Sequence, residues 1–207
     1  IINKKRIGSN VRSLNLTATK GGTTETLAFV PGLSGLVKGA LGALGITLGD
    51  ISTTNSYGGN ITLTGAKATT TANLTADNNI LAQSGTDIAG KVTAGAKNIT
   101  FNNSKAGELD VTATNKVALQ NKSVFGNVKA FAADIDIDDS ITADADLTAT
   151  NSIIINKSTL DDVIAIAQNA GSITITGSYA DSLDLTSENA TSNYIFGNSV
   201  LDALNSL

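Results

Sequence analysis

The chain has no cysteine, histidine, methionine or tryptophan. Without cysteine there are no disulfides and no thiolate chemistry. Without histidine the commonest general base and metal ligand is gone. Aromatic residues make up only 4% of the 207 positions. Compact sandwiches and α/β enzymes fill wide cores with such side chains; a narrow core of Ile, Val, Leu and Ala does not need them. Proline occurs once, at Pro31. No long apolar run is present. The one helix-like stretch, residues 32–49 (GLSGLVKGALGALGITLG), is short for a membrane span, carries Lys38 and is rich in Gly. The first residue is Ile1, so the chain reads as a processed protein or an excised piece, with no signal peptide legible.

What is abundant is Asn, Thr, Ser and Gly, set among small aliphatics in strict alternation. Residues 151–190 show the pattern with almost no interruption. Triplets in which two apolar residues flank a third recur as ITL at 61, ILA at 80, ITF at 99, VAL at 117, IDI at 135, III at 153, ITI at 173 and YIF at 194. A second strand precedes each, from ANLTADN at 72 and GKVTAGA at 90 through LDVTATN at 109, VKAFAAD at 128 and ADLTATN at 145 to IAIAQNA at 164 and LDLTSEN at 183. LNLTATK at 14 belongs to the same set. A serine follows the triplets, at Ser104, Ser123, Ser140, Ser158, Ser178 and Ser199.

Three landmarks with one period of about 19 residues describe one coil of a solenoid. The period is too short for a propeller blade and too strand-like for a helical repeat. The fold class expected is all-β: a single-stranded parallel β-helix of two clear strands and a third short one per coil, with turns at Asn, Gly or Asp. Alternation places Leu109, Val111 and Ala113 inward and Asp110, Thr112 and Thr114 outward. The same rule places Val117, Leu119, Ile153, Ile155, Ile173 and Ile175 inward. Each coil buries few aliphatics, but coils stacked about 4.8 Å apart share one continuous core.

The stretches NITFNNSKAGELDVTATNKVALQNKSVFGNVKAFA and NSIIINKSTLDDVIAIAQNAGSITITGS resemble the repeats of filamentous-haemagglutinin-type exoproteins. The likeness lies in a cycle of alternating strand, turn, alternating strand, Asn-Ser, then a short strand and Gly, over residues 60–190. It implies a right-handed parallel β-helix, secretion and a surface or adhesin role.

The whole chain, 1–207, is expected to form one solenoid domain. Residues 1–29 supply an amino-terminal strand and first coil. Residues 30–49 form a helical insert or cap, since Leu33, Leu36, Val37, Ala40, Leu41 and Leu44 fit helical spacing near 32–46. Residues 50–207 form the regular coils, closing on NSVLDALNSL as a short helical cap or a bare coil.

Charge is segregated. Residues 1–131 hold 13 Lys/Arg against 6 Asp/Glu, a net of +7, while residues 132–207 hold Lys157 against 12 acids, a net of −11. A rod of opposite poles favours head-to-tail contact at low salt. The basic segment 1–18, with Lys4, Lys5, Arg6 and Arg12, is expected to add as a strand to the acidic last coils of another copy, near Asp181, Asp184, Glu188 and Asp202.

Sites of chemistry are scarce. The run DIDIDDSITADAD supplies Asp134, Asp136, Asp138, Asp139, Asp144 and Asp146, which on adjacent coils would offer oxygen to Ca²⁺; outward solvation is the simpler reading. Arg6 and Arg12 are the only arginines, and no base–nucleophile pair can be named. Thr75, Thr93, Thr112 and Thr148 suggest an outward threonine column, broken at Phe131 and Ala167. Eight N-x-S/T sequons, at Asn15, Asn60, Asn73, Asn98, Asn102, Asn121, Asn156 and Asn189, would serve glycan attachment if the source glycosylates. No Walker motif, dinucleotide fingerprint or nucleic-acid face appears. The sequence therefore names no catalytic, cofactor or metal residue and describes no enzyme. It describes an extracellular or cell-surface structural protein, a self-associating subunit of a filament, sheath or surface layer. The alternative is the shaft of a secreted adhesin.

Overall fold

A computed structural model describes residues 10–18, 24–27, 47–55, 60–68, 70–187 and 189–195, with side chains at 60–68 and 70–187. The fifteen strands are β1 (Asn10–Ala18), β2 (Thr24–Leu27), β3 (Thr47–Asn55), β4 (Asn60–Thr64), β5 (Lys67–Ala68), β6 (Ala72–Ala76), β7 (Asn79–Gln83) and β8 (Asp87–Asn102). They continue as β9 (Lys105–Gln120), β10 (Val124–Asp138), β11 (Ile141–Thr142), β12 (Ala145–Asn156), β13 (Thr159–Ala167), β14 (Ser172–Thr186) and β15 (Asn189–Ile195). All pairings are parallel and join one sheet that begins at β1 and ends at β15. This is a β-solenoid of about seven turns, with a spacing near 18 residues.

Each turn has three faces. Face A carries the column Leu14, Ile51, Ala72, Val92, Leu109, Val128, Ala145, Val163 and Leu183. Face B carries Ile61, Ile80, Ile99, Val117, Ile135, Ile153 and Ile173. Face C is the short strand, with Ala68, Ile88, Ala106 and Phe125 in register. Alternation turns the described side chains of these columns inward, and the nine inward positions expected from Leu109 to Ile175 are all buried. Each such Val, Leu or Ile contributes about 1.5–3 kcal/mol of burial. Phe101 and Phe125 meet edge to face inside, with centroids 5.5 Å apart.

Several expectations shift. Val92, not Gly90, heads its face-A strand, and Val163, not Ile164, heads the strand below Leu183. Irregular register between Ile88 and Lys91 displaces the first of these. YIF at 194 is not the last face-B triplet: Ile173 pairs with Ala190. Starting from Leu183, the A-to-B corner brings Ala190, not Tyr194, into line. Face A and face B each gain a strand at the amino end. β3 extends face A at Ile51, and β2 pairs with β4 on face B. Both were hidden because Thr53, Asn55 and Glu25 stand at column positions held by aliphatics elsewhere. β3 starts at Thr47, so the last residues of the 30–49 segment are strand. The helix expected near 32–46, Ser199 and the carboxyl-terminal cap lie outside the described residues.

Candidate functional surfaces

The corner from face B to face C is built from a repeated device. Its backbone turns through a left-handed residue: Asn103 (φ 49°), Asp139 (φ 46°), Lys157 (φ 49°) or Gly177 (φ 59°), and the pair Asn121 and Lys122 in one coil. Asn and Asp tolerate that region better than most side chains. The next residue is Ser104, Ser140, Ser158, Ser178 or Ser123, all buried, with Thr86 in an earlier coil. Turning the chain aims a main-chain N–H at the neighbouring coil where no carbonyl is in line. The Ser104 N–H donates to Ser123 Oγ (3.2 Å), the Ser140 N–H to Ser158 Oγ (3.2 Å) and the Ser158 N–H to Ser178 Oγ (3.1 Å). Each hydroxyl in turn donates within its own corner, as Ser123 does to the Gln120 carbonyl at 2.7 Å and Ser158 to that of Asn156 at 2.8 Å. The serine landmark is thus a ladder that satisfies amides otherwise orphaned in the core. From face C to face A the coils come so close that only glycine fits at some steps. A Cβ on Gly107 would lie 2.3 Å from the Ala89 carbonyl oxygen, and one on Gly126 1.9 Å from that of Gly107.

Outside, polar ladders run along the stack. Asn79 donates to Asn60 (2.7 Å) and Asn98 to Asn79 (2.9 Å) on one edge of face B; Asn121 donates to Asn102 (3.0 Å) on the other. The aspartates of β10 join these ladders. Asp134 accepts from Ser152 (2.7 Å), Asp136 pairs with Lys116 (3.1 Å) and Asp138 accepts from Asn156 (2.7 Å). Their register neighbours are Lys116, Ala118 and Gln120 on one side and Ser152, Ile154 and Asn156 on the other. Asp on adjacent coils is therefore not what the register brings together there. Asp146 faces Lys129 at 3.8 Å, and Asp139 sits at a corner. Among the described residues no three of His, Cys, Asp and Glu gather as a metal site. A shallow depression on face B is lined by Gln120, Asp136, Asp138, Ile154, Asn156 and Thr176.

The outward column of face A runs Thr75, Gly95, Thr112, Phe131, Thr148, Ile166 and Thr186. Thr93 and Ala167 are not in it, because the strand starts at 92 and 163 and not where alternation alone placed them. Gly95, Phe131 and Ile166 interrupt it, so that Thr112 and Thr148 have no threonine in register on either side, while Thr75 is in register with Thr54 and that with Thr17. In three sequons the Ser is a buried corner residue: Ser104 after Asn102, Ser123 after Asn121 and Ser158 after Asn156. These sequons have a structural cause, the left-handed turn before a ladder serine. Asn73, by contrast, is exposed on its strand.

Among the described residues, two groups have displaced ionisation. The Lys91 ammonium is held protonated above its ordinary 10.5 by hydrogen bonds to Glu108, then Asp110, at 2.9 and 3.0 Å. Tyr179 is raised above 10.0 because its hydroxyl donates to Asp181. Among the described residues, no helix is long and apolar enough to cross a membrane.

No family model matches this chain, and the curated proteins and solved structures likewise give no match.

Proposed function

We propose that the chain is an extracellular or cell-surface structural subunit, a β-solenoid that associates head to tail into a filament, sheath or surface layer. The observation that carries this reading is the polarity of the rod. Along the chain, residues 1–131 carry a net charge of +7 and residues 132–207 a net of −11, and the described acids of the second part lie on β10 and on the strands and corners that follow it. The long faces support it, since ladders between coils already take up many of their amides and hydroxyls. Repeating one head-to-tail contact without closure gives a filament. Light scattering and negative-stain microscopy across a salt series test it. Polymers are expected at low salt and dissolve as salt screens the poles; monomers at every salt concentration overturn it. Charge reversal at Lys4, Lys5 and Arg6 should raise the polymerisation threshold most at low salt.

A second reading is favoured by the corner device. The cycle of Asn-Ser followed by a short strand and Gly is the part of the pattern that resembles filamentous-haemagglutinin-type repeats. It coincides with the ladder serine and the close-approach glycines at Ser104–Gly107 and Ser123–Gly126. On that reading the chain is shaft from a secreted adhesin, monomeric by itself and continued by further coils in its full gene. Glycans on exposed sequons such as Asn73 are compatible with either.

A further inference from the structure

We infer that face A is also a lateral contact surface, on which a second copy docks face to face about a two-fold axis parallel to the stack. This goes beyond the head-to-tail reading and does not depend on it. A filament needs contacts along the rod, whereas a sheath or layer also needs contacts across it.

The described side chains divide the outward surface of face A into two unlike columns. One runs through Thr112, Phe131, Thr148, Ile166 and Thr186 and holds no charge. The other lies two residues earlier on each strand and runs through Asp110, Lys129, Asp146, Ile164 and Asp184, charged everywhere but at Ile164. Phe131 and Ile164 are 44% and 47% exposed, and Ile166, next to Ile164 on the same face, is half-buried. Phe131 is two coils, about 10 Å, from Ile166, with Thr148 between them. These side chains form one patch and are not scattered single exposures.

A two-fold parallel to the stack turns one sheet onto the other at the same height. Each residue of one column then faces the residue of the other column from the same coil. Ile164 of each copy meets Ile166 of the other. Lys129 of each meets Phe131 of the other, and its side chain, 72% exposed, reaches out over the ring. Asp110, Asp146 and Asp184 meet Thr112, Thr148 and Thr186, so no like charges are opposed. Asp110 and Asp146 keep the partners they already have, Lys91 at 3.0 Å and Lys129 at 3.8 Å. A two-fold along the strands fits worse. Centred on β12, it sets Asp146 against its own copy; centred between β10 and β12, it lays Asp110 on Ile164. The match joins two columns of one face, which makes a second copy the partner. From Thr75 to Thr186 the face is six steps, about 30 Å, tall and two columns, about 14 Å, wide. Roughly 800 Å² in total is then buried, below the ~1,200 Å² of stable complexes. Single molecules therefore pair weakly, and rods hold together by repeating the contact.

Salt separates this contact from the head-to-tail one. Screening dissolves the contact between charged poles, whereas sulfate strengthens apolar burial. In ammonium sulfate below precipitation, sedimentation equilibrium at high protein concentration should show dimers. Phe131→Asp combined with Ile164→Asp should keep the parent's circular dichroism and weaken pairing at least about tenfold, since each change counts twice across the two-fold. The chain has no cysteine, so single cysteines can be joined selectively. T75C and T186C, at opposite ends of the face, should each be linked between copies by a bis-maleimide reaching about 12 Å, and T176C, exposed on face B, should not. No two-fold along the strands brings both pairs together. Linking of T148C without T75C and T186C, or dimers that the double aspartate variant leaves unchanged, overturns the inference. A parent that stays monomeric in sulfate overturns it too; if F131C then also resists thiol labelling, a segment of the same chain covers the patch. Salt-sensitive filaments of single rods overturn the pairing and leave the head-to-tail reading standing. Sulfate-stable dimers without low-salt polymers do the reverse.

Discussion

The two corners that flank face B are built by different rules. The one leaving it, toward face C, turns on a left-handed residue and a buried Ser or Thr, and the hydroxyls of Ser123, Ser158 and Ser178 each accept an amide from the adjacent coil. The one entering it, from face A, is lined by small apolar residues: Ala113, Ala132, Ala149 and Ala167. It varies in length, from Ala132 and Ile135 in one coil to Ala167 and Ile173 in another, with register irregularities between Ala96 and Asn98 and between Ala132 and Asp134. A corner held by side-chain hydrogen bonds fixes the phase of each coil. A corner held by contact between alanines can absorb an extra residue. The difference shows how a solenoid keeps vertical columns while its sequence period wanders.

The largest effect comes from breaking the columns that both corners hold together. Ile155→Asp buries a carboxylate with no partner, and a cost of about 3–5 kcal/mol is expected; thermal melting should show loss of several coils. Ile154→Asp, one residue away on the same strand but 44% exposed, should melt within a few degrees of the parent. Equal melting of the two variants breaks the inward assignment.

An intermediate effect separates the corners. Ser123→Ala removes the acceptor of the Ser104 amide and should cost about 1–3 kcal/mol by urea unfolding. Thr150→Ala, at the half-buried entering corner, should cost under about 0.5 kcal/mol, as ordinary surface changes do. If the two costs match, the serine ladder is not what fixes the phase.

The smallest effect belongs to the outer charge ladder. Lys91→Ala should lower the melting temperature slightly, and high salt should erase the difference. The raised pKa of Lys91 gives the pH sign. Its contribution is full below the unfolded value near 10.5 and is lost as pH rises through the higher folded value. The parent and Lys91→Ala should therefore converge in strongly alkaline buffer. A gap that widens there contradicts the pairing with Glu108 and Asp110.

Much of the fold was legible because a parallel stack repeats the same physical demand in every coil. Alternation around Leu109, Ile153 or Ile173 could be assigned from the chain alone, since a one-residue slip would expose every aliphatic on a strand. The serine landmark was visible, but its role was not. Ser104 and Ser123 are 19 residues apart, and only the stacking brings the amide of one to the hydroxyl of the other. The same holds for the threonine column, which alternation put through Thr93 and the register put through Gly95. Of candidate sites, the sequons were legible as motifs, whereas the buried Ser within three of them was not.

The sequence by itself determined the solenoid, its period, its narrow aliphatic core and its charge polarity, because these depend on alternation and composition, which are local. Which residues share a column, which amides need a hydroxyl, where only glycine fits and which strands end the stack were decided by tertiary structure. Those features are relations between coils about 4.8 Å apart in space and a full turn apart in the chain, and corner length sets them.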